Sequence, residues 1–379
     1  MRQGLLAGEH GPDRMNVLAA ETGPRSARLI SDDWDVSVSI CTYNRCRLLL
    51  DSLDSVLSQQ ADGVRYEVVV VDNNSTDDTK PVVDSFIARG CSNLRYVFEG
   101  RQGLSYARNT AVLEARAPIL AFTDDDVQVA PNWVSTIKRT FENRPEVGWI
   151  GGKVLPRWAS TPPTWLTRDH WSPLAAQDHG DVPFSSSGRQ VCLVGANLVI
   201  RKDLLEQFGG FRADVQRVQD SVGSMEDHEL QIRLWKAGLQ GLYVPDLVVM
   251  SDVSADRLMK KYHRRWHRGH GHFYAMARLE EWEHSSVGWL FGVSSHIYKR
   301  AVVEALRWLG CVARGNLHGA FTHETNLWFS AGFIGTRYRE FATAGDRSHW
   351  TELTRFVRAV ARRLISGQRH SSKAHIRQG

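Results

Sequence analysis

Three consecutive aspartates, Asp124, Asp125 and Asp126, follow the apolar run Ile119–Phe122 after a single threonine. The run is typical of a buried strand, so the three carboxylates would lie at its carboxyl end. Like charges so close together repel one another and resist removal from water, and a bound cation offsets both costs. Mg²⁺ and Mn²⁺ prefer oxygen ligands and often bridge them to substrate phosphates. The pattern therefore favours a metal–diphosphate site at the edge of an α/β sheet, with a solvated acidic turn as the alternative.

Strand and helix patterns alternate from Val36 onward. The predicted strands are Val36–Cys41, Glu67–Val71, Leu94–Glu99, Ile119–Thr123, Val191–Arg201 and Leu242–Met250. The predicted helices are Arg47–Gln59, one from near Asp77, Gly103–Ala117, Pro131–Asn143 and Met225–Ala237, while 151–190 reads as a long loop. Such alternation predicts a largely parallel sheet, whose ligands bind beyond the carboxyl ends of the strands. Polar clusters follow Cys41, Val71 and Thr123, so all three would meet at that edge.

The 379 residues can form one large domain with an appendage. We predict a flexible leader over 1–33, a catalytic domain over 34–255, a helical C-terminal region over 256–345 and a basic amphipathic tail over 346–379. No window approaches the ~18 apolar residues of a spanning helix, and the N-terminus lacks the apolar core of a signal peptide. The five cysteines are odd in number and form no CxxC pair. These features predict a cytoplasmic protein with reduced thiols.

The net charge of +5 comes from the tail. Residues 347–379 hold eight Lys/Arg and one acid, giving +7, and the other 346 residues hold 39 Lys/Arg and 41 Asp/Glu, giving −2. Apolar residues recur there at helical spacing among arginines (Trp350, Leu353, Phe356, Val357, Val360, Leu364 and Ile365). Such a helix can bind an anionic membrane surface at the inner face of the plasma membrane, or pack on its own domain. Because the rest of the chain is acidic, nucleic acid is not expected as a partner.

Five segments, in order along the chain, resemble the family 2 glycosyltransferases, a large inverting group built on the GT-A fold. They are Ser39–Arg45, Val70–Asp77, Gly103–Asn109, Phe122–Asp126 and Glu226–Leu230. The resemblance implies a GT-A nucleotide-diphospho-sugar transferase fold: a mostly parallel central sheet flanked by helices, with a C-terminal helical appendage. It also implies a hexosyltransferase-like enzyme of polysaccharide biosynthesis. Such an enzyme would move a sugar from a nucleotide-sugar donor, with UDP as the expected nucleotide, to a hydroxyl of a glycan or lipid-linked glycan.

The resemblance also implies a donor site. Its expected residues are Thr42, Tyr43, Asn44, Arg45, Asp72, Asn74, Gly103, Arg108, Asp124 and Asp125. Asp72 would accept a hydrogen bond from the imide N–H of uracil, although it could instead cap the following helix. Arg108 would lie near the nucleotide, or act as a structural counter-ion of the aspartates.

The family's D-x-D pattern corresponds to Asp124 and Asp126, which would bind Mn²⁺ or Mg²⁺. By the same resemblance Asp227 is the general base and Glu226 its partner, although acids also suit the start of a helix. Gly195, Ala196 and Asn197 would line the acceptor side. Many relatives place a metal-binding histidine where this chain has Ser251, so Asp252 or one of His263, His267 and His270 would have to replace it.

Two other hypotheses stay open, one enzymatic and one not. A nucleotidyltransferase also uses carboxylate-held metal on an α/β sheet, but Thr42–Arg45 is not the glycine-rich phosphate loop expected after its first strand. A catalytically inactive sugar-nucleotide binder would keep the same residues, and Ser251 leaves that reading open.

Overall fold

The computed structural model describes residues 34–216, 222–279, 288–344 and 348–358. The predicted leader 1–33 lies outside these ranges, as does the tail beyond 358.

The first half of the chain alternates strands and helices, as predicted. Its strands are β1 (Val36–Thr42), β2 (Tyr66–Asp72), β3 (Leu94–Phe98) and β4 (Ile119–Asp124), and its first helices are α1 (Cys46–Leu57), α2 (Thr79–Ala88) and α3 (Leu104–Glu114). The four strands pair in parallel in the order β3-β2-β1-β4. Their carboxyl ends therefore share one edge, where Thr42 pairs in register with Asp72.

The second half extends the sheet and mixes its strand directions. It contains β5 (Val127–Val129), α4 (Trp133–Asn143), β6 (Val147–Trp158), β7 (Phe184–Ser185), α5 (Ser186–Arg189), β8 (Leu198–Arg201), α6 (Lys202–Phe208), α7 (Glu226–Lys236) and β9 (Gln240–Val253). The order continues β4-β8-β6-β9-β5, with β7 on β9. β8, β5 and β7 pair antiparallel with their neighbours, whereas β6 and β9 are parallel. The prediction of an α/β fold with a mostly parallel sheet flanked by helices is confirmed.

The predicted loop 151–190 is wrong at its beginning, because β6 runs through Trp158. Its glycine pair and Pro156 hide a strand pattern, and the structure explains the glycine: a Cβ on Gly152 would lie 1.9 Å from the carbonyl oxygen of Leu247. The strand predicted over Val191–Arg201 shortens to β8, because Gly195–Asn197 form a 3₁₀ turn.

The core lies on both faces of the sheet, and β2 shows why. Val68 and Val70 pack with α1, α2 and α4 on one face. Val69 and Val71 pack with α3, α6 and α7 on the other face. A run of valines buried on both faces is the pattern of an internal parallel strand.

The C-terminal appendage is helical, as predicted. It comprises α8 (Lys260–Ala277), a short hairpin of β10 (Trp289–Leu290) and β11 (Val293–Ser294), α9 (Ser295–Ala313) and α10 (Leu317–Thr343), and 349–358 is also helical. α8 and α10 cross at glycines: a Cβ on Gly271 would lie 2.0 Å from the oxygen of Phe329, and one on Gly332 would lie 1.9 Å from that of Arg268. None of the helices in the described ranges is both long and apolar enough to cross a membrane.

Candidate active site

The three aspartates after β4 face the loop that follows β1. The hydroxyl of Thr42 donates to Asp125 Oδ2 at 2.8 Å. Arg45 Nη1 lies 3.1 Å from both Asp125 Oδ1 and Asp126 Oδ2. Burial raises the pKa of Asp125 to about 6, although Arg45 opposes the shift. The β1 loop therefore supplies one cation to a cluster of three carboxyl groups, of which Asp124 is the most exposed at 33%.

Asp72 ends β2 beside this cluster, and its carboxylate already has two partners. Oδ1 accepts from the Ser75 backbone N–H at 2.8 Å, and Oδ2 accepts from the Tyr96 hydroxyl at 2.7 Å. Burial and the hydrogen bond to Asp72 raise the pKa of Tyr96. Asp72 thus stabilises the polar turn but does not cap α2, whose N-cap residue is Asp78. Each carboxylate oxygen keeps a second lone pair for a ligand.

Asn44 ties the β1 loop to the β2 turn. Its Oδ1 accepts from the Thr76 backbone N–H at 2.7 Å, and its own N–H donates to Ser75 Oγ at 3.0 Å. Tyr43 is half-buried beside it, and Asn74 is exposed in the left-handed region at φ +67°. These side chains therefore shape one continuous rim.

Gly103 begins α3 in a conformation that side chains rarely adopt, at φ +143°. Its N–H donates to Asn73 Oδ1 at 2.7 Å, and a Cβ there would lie 2.3 Å from Gln216 Oε1. Gln216 Oε1 also accepts from the Ser105 N–H at 2.8 Å. Glycine is therefore required at this position, and the start of α3 is fixed between two amide side chains.

Arg108 joins the aspartate cluster to the start of α7. Its guanidinium lies 3.1 Å from Glu226 Oε1, hydrogen bonds to Asp227 Oδ1, and lies 3.9 Å from Asp124 Oδ1. The Arg108 side chain is 4% exposed and that of Glu226 is 2%, whereas Asp227 keeps 21% exposure. One buried cation thus lies between an acid of the D-x-D pattern and the predicted general base.

The charges around Asp227 set its protonation. Burial raises the pKa of Asp227 to about 7, with Arg108 opposing the shift and Glu226 and Asp124 adding to it. A carboxyl group with a pKa near neutrality can accept a proton and release it again at physiological pH. Glu226 Oε2 is buried without a hydrogen-bond partner among the described residues.

Gly195 contacts Asp227, the predicted general base, whereas Ala196 and Asn197 belong to the core. The Gly195 N–H donates to Asp227 Oδ2 at 3.0 Å, and a Cβ there would lie 2.2 Å from that oxygen. Ala196 packs in the core, and Asn197 is fully buried. The Asn197 amide accepts from Trp133 Nε1 at 2.9 Å and donates to two backbone carbonyls. Of the three predicted acceptor-side residues, only Gly195 contacts the site.

The position expected to hold a further metal ligand does not provide one. Ser251 is buried in β9, where it pairs with Val127. The Asp252 carboxylate is bound to Arg157 on both oxygens. His263 Nε2 donates to the Arg257 carbonyl, and His270 Nδ1 donates to the Ser224 carbonyl. Across the described residues, no three His, Cys, Asp or Glu side chains gather in a metal-binding cluster.

The donor set nevertheless suits a divalent cation that also binds substrate phosphates. Asp124 and Asp126 present carboxylate oxygens on one turn, and Mg²⁺ or Mn²⁺ commonly uses one or two protein carboxylates together with phosphates and water. The residues present therefore fit such a cation with Asp124 and Asp126 as its protein ligands.

The predicted residues form a continuous series along one edge of the sheet, from Asp72 through Thr42 and the aspartates to Arg108 and Asp227. Sequence reasoning missed Tyr96 and Arg257. Tyr96 shares a sheet face with Phe98, the register partner of Asp72, so strand parity was an available signal. Arg257 lies 3.9 Å from Asp126, but it follows a strand whose register the sequence does not disclose.

Residues 37–209 match the family model described as Glycosyl transferase family 2. A glucosyl-dolichyl phosphate glucuronosyltransferase of Haloferax volcanii is 25% identical over 208 residues, covering 53% of this chain and 63% of the relative. Glycosyltransferase AglE of the same organism is 33% identical over 181 residues, covering 46% and 55%. The chain thus spans less than two thirds of the length of these relatives.

A solved structure of a mannosyltransferase from Pyrobaculum calidifontis, in complex with GDP-Man and Mn²⁺, is similar with a TM-score of 0.48 and 20% identity. The alignment covers 86% of this chain and 80% of that one. The family predicted from the five motifs is confirmed by the family model and by the named relatives. Residues 37–209 thus match glycosyl transferase family 2, and this segment carries β1 to β4 and the three aspartates.

Proposed function

We propose that this protein transfers a sugar from a nucleotide-sugar donor to an acceptor hydroxyl, with inversion at the anomeric carbon. The observation that carries the proposal is Arg108, which contacts Asp124 of the diphosphate side and Asp227 of the acceptor side with one guanidinium. A displacement needs both sides of the reacting carbon within a few ångströms of each other. The arrangement is consistent with that need.

The proposed reaction is a single displacement. The acceptor oxygen attacks the anomeric carbon, its proton passes to the Asp227 carboxylate, and the bond from that carbon to the diphosphate oxygen breaks. The pKa of about 7 supports this role, because such a carboxyl group is about half ionised at neutral pH and can therefore accept a proton. Arg108 holds Asp227 in place, and Glu226 adds to the charge that keeps Asp227 basic.

The proposed donor is a UDP-sugar. Asp72 and Asn44 would contact the base and ribose, and Arg45 would approach the phosphates. A divalent cation on Asp124 and Asp126 would neutralise the diphosphate as it leaves. The proposed acceptor is a glycan or lipid-linked glycan, and the name of the first Haloferax relative, which specifies a dolichyl phosphate-linked sugar, supports the lipid-linked form.

Release of nucleoside diphosphate tests the proposal. The chain would be incubated with UDP-, GDP- and dTDP-sugars, with Mn²⁺ or with EDTA, and UDP or its counterpart measured. We expect release from one donor, loss of most of it in EDTA, and a fall of at least about a hundredfold in Asp227→Asn. Asp227→Asn should still bind UDP, because Asp227 faces the acceptor.

The same experiment separates the alternatives. An inactive sugar-nucleotide binder would bind UDP in calorimetry but release no diphosphate from any donor. A nucleotidyltransferase would instead form pyrophosphate or a nucleoside monophosphate linkage. Binding of no nucleoside diphosphate at all would remove the proposal.

We also propose an anionic membrane surface as a partner of the tail. Trp350 is 73% exposed and Val357 56% exposed on the helix 349–358. α9 adds a second exposed apolar stripe that the sequence analysis did not single out, with Val302, Leu306 and Leu309 on one face. Cosedimentation with phosphatidylglycerol vesicles should recover the protein, phosphatidylcholine vesicles should not, and Trp350→Ser with Leu306→Ser should abolish recovery. Equal recovery of the double variant and of the unmodified chain would contradict the proposed membrane binding.

A further inference from the structure

Asp126 lies between two guanidinium groups that come from distant parts of the chain. Arg45, from the loop after β1, is 3.1 Å from Asp126 Oδ2. Arg257, from the 3₁₀ turn Ala255–Leu258 that follows β9, is 3.9 Å from the same oxygen. β9 also brings its backbone to this turn, since the Asp252 N–H donates to the Asp126 carbonyl at 2.9 Å. The two arginines therefore border the aspartate turn from two sides.

Arg257 has donors that the described protein does not use. Its Nε is buried without a hydrogen-bond partner among the described residues. Nη2 donates to the Pro173 carbonyl at 3.3 Å, and the Asp126 contact is too long for a hydrogen bond. Its side chain is 18% exposed. A guanidinium largely withdrawn from water with unused N–H groups is stabilised by an anion that offers several oxygens.

The neighbouring arginine at this edge differs in that respect. Arg157 binds both oxygens of Asp252 and also lies 3.5 Å from Asp51. Its charge is compensated by protein carboxylates at hydrogen-bonding distance. Arg257 faces the aspartate turn instead, where the carboxylates of Asp125 and Asp126 meet the charges of Arg45 and Arg257.

Arg257 is also tied to two other parts of the chain. His263 Nε2 of α8 lies 3.1 Å from the Arg257 carbonyl. Pro173, which accepts from the Arg257 guanidinium, also accepts from the Tyr262 hydroxyl at 3.0 Å. The position of Arg257 is thus set by α8 and by the segment around Pro173 and not by its own turn alone.

We infer that Arg257 binds the diphosphate of the donor opposite Arg45, with its unused N–H groups on the phosphate oxygens. The inference rests on the proposed function and deepens it, because it names a binding residue outside the five motifs and outside the segment that the family model matches. A diphosphate placed there would contact a guanidinium on each side. The two arginines would then offset its negative charge together with the cation on Asp124 and Asp126.

Calorimetric titration of the full chain with UDP and with uridine tests the inference, in Mn²⁺ and in EDTA. Arg257→Gln should weaken UDP binding about tenfold or more in both buffers and leave uridine binding unchanged. Arg257→Lys should recover part of the loss, because it keeps the charge but not the planar pair of donors. The control is Arg265→Gln, which removes the same charge from an exposed position of α8 and should change neither affinity.

The outcomes are distinguishable. Unchanged UDP binding in Arg257→Gln would overturn the inference and leave the proposed function intact. Equal loss of UDP and uridine binding, with a lower Tm, would also overturn it, since it would show a structural role for Arg257. Failure of the unmodified chain to bind UDP, GDP or dTDP would instead overturn the proposed function, and the inference with it.

Discussion

Replacing Arg108 by glutamine should shift the pH dependence of catalysis. In the unmodified protein the pKa of Asp227 is about 7, so kcat/KM should rise with pH through that value as Asp227 loses its proton. Arg108 hydrogen bonds to Asp227 and lies 3.1 Å from Glu226, and its charge opposes the upward shift. Without the Arg108 charge, burial and the carboxylates of Glu226 and Asp124 raise the pKa of Asp227 further.

The size of the shift follows from the charges. Two unit charges about 4 Å apart interact by about 4 kcal/mol at an effective dielectric constant of about 20, and about 1.36 kcal/mol corresponds to one pKa unit. We therefore expect the acidic limb of kcat/KM to move up by about two to three units in Arg108→Gln. At pH 7 the variant should lose about a hundredfold or more in rate. Arg108→Lys keeps the charge and should keep most of the limb near its original pH.

The pH dependence of folding stability provides a second measurement. The folded pKa of Asp227 is raised above its unfolded value, so the folded state binds more protons and loses stability as pH rises towards 7. In Arg108→Gln that loss should grow and continue to higher pH, because removing one partner leaves buried carboxylates unpaired. The Tm difference from the unmodified protein should be larger at pH 9 than at pH 5. A limb that stays near pH 7 in Arg108→Gln would refute the reasoning.

Three further perturbations test the packing and the nucleotide side. In chemical denaturation, Gly332→Ala should lower the free energy of unfolding by about 2–3 kcal/mol, because its Cβ would meet the α8 backbone at 1.9 Å. The control is Gly335→Ala, in the same helix with open space around it, which should be neutral or stabilising by up to about 1 kcal/mol. Asn197→Ala should destabilise by about 3 kcal/mol with UDP affinity unchanged, because it removes the hydrogen-bond partner of Trp133 Nε1 and of two backbone carbonyls. Tyr96→Phe should weaken uridine binding about three- to tenfold, because Asp72 loses its hydroxyl partner; unchanged binding would mean that Asp72 acts only within its turn.

The first four strands were predictable because their signal is local. β2 is a valine run buried on both faces, and the polar residues that follow it fall at the sheet edge for geometric reasons. β6 was not predictable by the same reasoning. Its glycine pair looks like a loop, and only the close approach of Leu247 from β9, almost a hundred residues later, explains why glycine is needed inside that strand.

The candidate site was likewise predictable only in part. Motif order places Thr42, Asp72 and the aspartates at one edge, but it does not distinguish Gly195 from Asn197, which are two residues apart. One contacts Asp227, and the other is fully buried with its amide bonded to Trp133 and two backbone carbonyls. That difference depends on the direction of each side chain in a 3₁₀ turn, and neither composition nor spacing records it.

The C-terminal appendage packs directly against the segment that leads to Asp227, the proposed base. A Cβ on Gly223 would lie 2.7 Å from the backbone nitrogen of His270, and one on Gly269 would lie 1.8 Å from the oxygen of Val222. The segment leading into α7 therefore lies backbone-to-backbone against α8, and the Tyr274 hydroxyl contacts His228 Nδ1 at 2.7 Å one residue beyond Asp227. Because contacts this close admit little sliding, a displacement of α8 would displace the start of α7. The position of Asp227 is consequently set from two sides: by Arg108 and Gly195 in the sheet domain, and by α8 in the region outside the family match.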